Sequence, residues 1–112
     1  DMEWEKLGGG VSRKFLGYDN QIMMVKVKFD KGALGAPHQH FHTQATYCVS
    51  GKFEFEIDGE KKIVEAGDGV YIEPNLMHSA ICLEEGILID TFSPVREDFL
   101  SGGEVSYFGD KL

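Results

Sequence analysis

The chain has 112 residues, enough for one domain and too few for two with adequate cores. Its 42% hydrophobic and 27% charged content is ordinary for a globular protein and excludes a disordered chain. A net charge of -8, from 19 acidic and 11 basic side chains, opposes non-specific nucleic-acid binding and docking on an anionic membrane. No apolar run reaches the ~20 residues of a membrane span.

In chain order, Asp1-Met2-Glu3-Trp4-Glu5 has no basic region followed by an apolar stretch, so a cytoplasmic protein is expected. Trp4 is expected to cover the end of the fold or a partner subunit. The Gly8-Gly9-Gly10 run reads as a flexible N-terminal segment. A strand is predicted over residues 21–29, where Val25, Val27 and Phe29 alternate with Lys26 and Lys28. Residues 45–49 form a short apolar strand. Residues 52–57 alternate cleanly, with Phe53, Phe55 and Ile57 on one face and Lys52, Glu54 and Glu56 on the other. Asp58-Gly59 is a two-residue hairpin signal, so residues 61–64 pair back on that strand, with Lys61 and Lys62 solvated. Residues 70–72 follow a turn at Gly67-Asp68-Gly69. Residues 79–83 and 87–92 are two further strands joined at Glu84-Glu85-Gly86. The one turn of helix is predicted over residues 95–100, after Pro94. The final dozen residues, with Val105, Tyr107 and Phe108, are expected as a packed tail or edge strand.

Seven or eight short strands with tight turns predict an all-β antiparallel sandwich or barrel. Phe53, Phe55, Ile57, Val70 and Ile72 are assigned to its core. Cys48 and Cys82 sit in apolar strand stretches, match no disulfide or paired-cysteine zinc spacing, and are read as reduced core residues.

Three of the four histidines alternate in His38-Gln39-His40-Phe41-His42, and Gln44 keeps the same parity. On an extended strand these side chains share a face. Imidazole is the commonest metal-binding side chain, so the cluster predicts a metal site. The fourth, His78, opens another strand that can meet the first. His42 has the right parity, but three alternate residues seldom all reach one ion, so it is assigned to the pocket wall.

These residues resemble a known family. Gly32, five residues, His38-Gln39-His40, three residues, Gln44, six residues and Gly51 resemble the first cupin motif. Gly67, six residues and Pro74-Asn75-Leu76-Met77-His78 resemble the second. Three positions depart: Gln44 stands where Glu is usual, Asn75 where Gly is, and Cys82 where Asn is. The resemblance covers residues 32–51 and 67–82. It implies a double-stranded β-helix (jelly-roll barrel), one cupin domain over residues 1–112, and one metal held by His38, His40, Gln44 and His78. A neutral amide cancels none of the ion's charge, so the ion remains a strong Lewis acid. Nitrogen and oxygen donors suit Ni, Zn, Fe, Cu or Mn equally.

Past His78, Asp90 follows an apolar run and shares a face with Leu88 and Phe92. A carboxylate facing an apolar interior needs a partner or a task. Arg96, just past Pro94, has the planar fork to pair with Asp90 or to hold a substrate carboxylate. The alternative is that Asp90 faces solvent at a strand end and Arg96 is a surface charge. Asp90-Thr91-Phe92-Ser93-Pro94-Val95-Arg96-Glu97-Asp98-Phe99 resembles the tail of the pectin-degradation (KdgF-like) cupins. That resemblance implies a homodimer that linearises 4,5-unsaturated monouronates, with Asp90 and Arg96 as the catalytic pair and Phe92 shaping the pocket. Tyr47, three places after Gln44, is also assigned to the pocket. Two rival classes stand beside this one: a cupin dioxygenase or isomerase with another small substrate, and a non-catalytic sugar-binding cupin. Oxygen-dependent turnover would mark the first rival, and tight binding without turnover the second.

Overall fold

In the computed structural model, which describes residues 3–100, strands and one short helix follow in a single order. They are β1 (Glu5–Gly8), β2 (Val11–Tyr18), β3 (Met23–Phe29), β4 (Leu34–His38), β5 (Thr43–Ile57), β6 (Glu60–Glu65), β7 (Gly69–Ile72), β8 (His78–Ser93) and α1 (Glu97–Leu100). All ladders are antiparallel, in the order β1-β2-β3-β8-β5-β6, with β4 paired to β8 and β7 to β5.

The two long strands, β5 and β8, serve both walls of the barrel. Residues 43–50 of β5 pair with residues 87–93 of β8 and are flanked by β7 and β3. Residues 52–57 pair with residues 78–84 and are flanked by β6 and β4. The walls face each other: the Phe29 ring of β3 meets Phe53 of β5 edge-on at 5.2 Å, although those strands share no ladder. The interior holds Val25, Val27, Phe53, Val64, Ile72 and Phe92, all fully buried. Each such side chain contributes about 1.5–3 kcal/mol by leaving water.

Two glycines make the bend. Gly51 has φ +84°, and a Cβ there would lie 2.5 Å from Gly86 Cα. A Cβ on Gly86 would strike the Ser50 carbonyl. The strands cross so closely that neither position has room for a side chain. This corrects the breaks expected at Ser50-Gly51 and Glu84-Glu85-Gly86. They are bulged bends inside continuous strands, because ladder partners exist on both sides of each.

The glycine run is also reassigned. Gly8, Gly9 and Gly10 all have positive φ and turn the β1–β2 hairpin, which places Glu5 opposite Arg13. Asp58-Gly59 forms the expected two-residue turn, with φ 51° and 86°, between Ile57 and Glu60. Cys48 and Cys82 are buried free thiols. Lys61 and Lys62 are exposed, and Trp4 is partly exposed with the Lys14 ammonium 5.9 Å from its ring centroid. The helix occupies residues 97–100 of the expected 95–100 and docks through Phe99, which is buried against Phe92 and Phe15. The expected tail or edge strand at Val105, Tyr107 and Phe108 lies outside the described residues. Among the described residues no helix is long and apolar enough to cross a membrane.

Candidate metal centre

Buried polar side chains come from both walls and from the connections: His40, His42, Gln44, Thr46, His78, Asp90 and Arg96. The β4–β8 ladder sets His38 directly opposite His78. The chain then leaves the strand, so His40 and His42 lie in the connection to β5 and not on one extended strand with His38. His40 is brought to the cluster by a different device. Its carbonyl accepts a 2.7 Å hydrogen bond from the Asn75 amide. Asn75 has φ 68°, a left-handed conformation that Asn tolerates better than other non-glycine residues, which accounts for Asn at the motif's usual glycine position.

The three imidazoles share one hydrogen-bond pattern. His38 Nδ1 lies 2.9 Å from the Ala36 carbonyl, His40 Nδ1 3.1 Å from that of His42, and His78 Nδ1 2.9 Å from that of Leu76. A carbonyl only accepts, so Nδ1 carries the proton and Nε2 the lone pair. One ligand atom from each of His38, His40 and His78 falls within 4.8 Å of the others. This is the donor arrangement in which backbone carbonyls fix metal-ligating histidines.

Two observations test whether an ion suits this set. His78 Nε2 is buried and has no hydrogen-bond partner. His40 Nε2 lies 3.0 Å from Gln44 Oε1 while its Nδ1 faces the His42 carbonyl. A neutral imidazole has one N–H and here meets two acceptors. A cation between Nε2 and Oε1 resolves that conflict. The imidazoles are also neutral at pH 7, as ligation requires. Burial pushes His38 down to about 4, aided by the charge of His78. Burial and then the Arg96 charge push His40 down to about 3. His78 and His42 are lowered too, chiefly by burial.

Gln44 projects inward from β5 and is opposite Phe92 of β8; Thr46 is opposite Asp90. Gln44 Nε2 donates to Thr46 Oγ1 at 2.9 Å, and Thr46 Oγ1 donates to Asp90 Oδ1 at 2.7 Å. Asp90 is therefore buried, not at a solvent-facing strand end, and Arg96 is fully buried and not a surface charge. Arg96 is held by Asp98 through Nε at 3.0 Å and Nη2 at 2.8 Å, and lies over the rings of Phe92 and Phe99. His38, Gln44, His78 and Asp90 border one cavity of about 30 Å³, lined also by Phe29, Phe55 and Leu88. That volume suits an ion or a water. A wider pocket of about 290 Å³ is bordered by Phe41, His42, Val95 and Asp98. The His42 ring lies 5.4 Å from His40, and Phe92 meets His40 edge-on at 5.7 Å.

One assignment is corrected. Tyr47 is half exposed on the outer face of β5. A separation of three from Gln44 reverses its side, a signal already present in the strand parity. Thr46, Asp98, Phe99 and Arg13 went unread as site neighbours. Arg13 is 2% exposed, pairs with Glu5 at 2.8 Å and stacks on Phe99. Asp98 stands only two residues from Arg96, so that pair had a local signal; Thr46 and Asp90 are 44 residues apart and had none.

Comparison with known proteins matches residues 25–90 to the family described as Cupin domain (Cupin_2). A relative from Dickeya dadantii (strain 3937), named pectin degradation protein KdgF, is 50% identical over 102 residues, covering 89% of this chain and 93% of its own. The solved RmlC-like cupin from Shewanella frigidimarina superposes with a TM-score of 0.86 at 49% identity, over 88% of each chain. The solved KdgF from Halomonas sp. gives 0.84 at 42% identity, over 87% of this chain and 90% of that one.

Proposed function

The chain belongs to the cupin domain family, and from that premise we propose that it is a metal-dependent enzyme of pectin or alginate breakdown. Its reaction is the opening of 4,5-unsaturated monouronates to 5-keto-4-deoxyuronate. The observation that carries this reading is the buried Asp90 carboxylate in the same cavity as His38, Gln44 and His78. Tied to Thr46 and set beside metal-type donors, that carboxylate is the group in the cavity suited to take up and return a proton. The names of the pectin-degradation relatives support the same substrate class.

His38, His40 and His78 through Nε2, with Gln44 through Oε1, would hold one divalent transition ion such as Ni, Zn, Fe or Mn. When bound, that ion supplies Lewis-acid charge for the oxygens of the sugar acid. The reaction is an isomerisation. The C1 hydroxyl loses its proton, the bond from C1 to the ring oxygen breaks, and C1 becomes an aldehyde. The ring oxygen stays on C5 as an enolate, which becomes a ketone as C4 takes up a proton. Asp90 is the carrier, taking the first proton and delivering the second, and it is the catalytic base and acid of the site. Arg96, braced by Asp98, supplies positive charge toward the substrate carboxylate; its field already reaches His40. That local charge offsets the long-range repulsion of an anion by a chain of net charge -8. Phe92 and His42 shape the wall beside His40.

The working unit is a cytoplasmic homodimer. The outer side of β3, β5 and β7 exposes Met24, Tyr47, Val49 and Tyr71, an apolar face suited to a second copy. The acidic surface makes neither nucleic acid nor membrane a partner.

The test follows the ultraviolet absorbance of the conjugated double bond in an unsaturated monouronate. Absorbance should fall with enzyme, hold steady with a chelator, and hold steady with Asp90→Asn. An Asp90→Asn protein that is folded and turns over at the native rate would remove Asp90 from the mechanism. No loss with metal-loaded native protein would remove the substrate.

A further inference from the structure

We infer that Thr46 is a positioning residue that sets which end of the Gln44 amide faces the metal. The inference rests on the reading of Gln44 as a ligand. An amide has two unlike ends, an acceptor oxygen and a donor NH2, and only the oxygen ligates a cation. A glutamate at this place would have no such choice. A glutamine does, and something must decide it.

The choice is decided by a chain of hydrogen bonds that runs in one direction. Asp90 is buried and acceptor-only when ionised. The Thr46 hydroxyl lies 2.7 Å from Asp90 Oδ1, so its single proton goes there. Its oxygen then has only lone pairs to offer Gln44. The Gln44 NH2 must turn to Thr46, at 2.9 Å, and this leaves Oε1 facing His40 Nε2 at 3.0 Å. Reversal of the amide would place a carbonyl against a hydroxyl oxygen that has no proton left. Without the Thr46 hydroxyl the balance inverts. A metal-free Gln44 would gain by turning its NH2 to the His40 Nε2 lone pair, which would mask two ligand positions with one hydrogen bond.

All three side chains are almost wholly buried, so water does not readily replace the missing link. The β5–β8 register sets Thr46 directly across from Asp90, and strand alternation sets Gln44 on the same face, two residues away. The relay also carries Asp90 toward the metal ligands without direct contact. The Asp90 charge polarises the chain and makes Oε1 a better donor to a cation.

The experiment is a double-mutant cycle on metal affinity. Metal-stripped protein is titrated with Zn²⁺ by calorimetry in four forms: native, Thr46→Val, Gln44→Glu and the double variant. A Thr46→Ser protein is run beside them, and melting of each metal-free form checks folding. Thr46→Val should weaken Zn²⁺ binding about 10–100-fold, the usual loss when a group that orients a ligand is removed. Thr46→Ser should stay within about threefold of native, on the same scale. In the Gln44→Glu background, Thr46→Val should cost less than about threefold, since either carboxylate oxygen can ligate. Cobalt loading adds a second readout: the d–d spectrum should change in Thr46→Val and be restored in Thr46→Ser. Native affinity in folded Thr46→Val would overturn the inference while leaving the metal reading in place. An equal loss in both backgrounds would also overturn it, since that marks a general structural role. Native protein that binds no Zn²⁺ would overturn the metal reading and this inference with it.

Discussion

The two halves of β5 use one alternation for opposite ends. Residues 52–57 turn Phe53 and Phe55 inward, where they meet Phe29 and each other. Residues 43–48 turn Gln44 and Thr46 inward, where they meet His40 and Asp90. β8 is mixed: the half with Ala80 and Cys82 also buries His78 at its start, and the half with Asp90 also buries Leu88 and Phe92. The strands bend between the halves, at Gly51 and Gly86. The apolar half is held by burial that any packed hydrocarbon can supply. The polar half needs named partners at named atoms, because each unpaired buried donor or acceptor costs about 1–3 kcal/mol. One strand thus carries a foundation at one end and a site at the other.

That contrast can be broken from either side. The largest effect is expected at the metal cluster, to which both halves contribute. His78→Ala removes an Nε2 from the cluster and should weaken metal binding more than about 100-fold, beyond the cost of losing an orienting group. The metal-free protein should still fold, as its melting curve would report. Next comes the apolar half. Phe53→Ala empties a fully buried ring and should cost about 3–5 kcal/mol in denaturant unfolding. Where the variant remains folded, its Zn²⁺ affinity should stay near native. If Phe53→Ala abolished metal binding in a folded protein, the halves would not be separable.

Acid sharpens the same distinction. The unfolded chain's histidines take up protons near pH 6.5. In the folded, metal-free protein His38 is lowered to about 4 and His40 to about 3, so the folded state refuses those protons. Stability from these groups is complete above pH 6.5 and is lost as pH falls from there toward 4 and then 3. The melting temperature of metal-free protein should fall through that window. A melting temperature flat from pH 6.5 to 4 would contradict the burial of neutral imidazoles. The smallest effect belongs to the outer face: Tyr47→Phe should leave metal affinity and turnover unchanged, since Tyr47 points away from Gln44.

The apolar half was the more legible in the sequence. Phe53, Phe55 and Ile57 repeat with period two, and Asp58-Gly59 marks its turn; both signals are local. The bend was misread because Ser50-Gly51 and Glu84-Glu85-Gly86 have turn composition. Only the ladder partners on either side make each of them an interruption within one strand. β1 and β2 were missed for the opposite reason: three consecutive glycines suggested freedom, whereas each takes a defined positive φ in a hairpin. In the site, motif spacing brought His38, His40, Gln44 and His78 forward as a set, and the structure draws them together. It does so through a strand end, a loop tied to Asn75 and two other strands, not through one extended strand. The partners that orient these residues stayed hidden. Thr46 offers no signal of its own, because its meaning comes from Asp90 across the ladder.

The most direct test is turnover of an unsaturated monouronate by metal-stripped protein as a divalent transition metal is added back in measured amounts. The account predicts negligible turnover without metal, a linear rise, and a plateau at about one equivalent per chain, as one cluster of this kind implies. Full turnover by stripped protein, or none after one equivalent has bound, would contradict it.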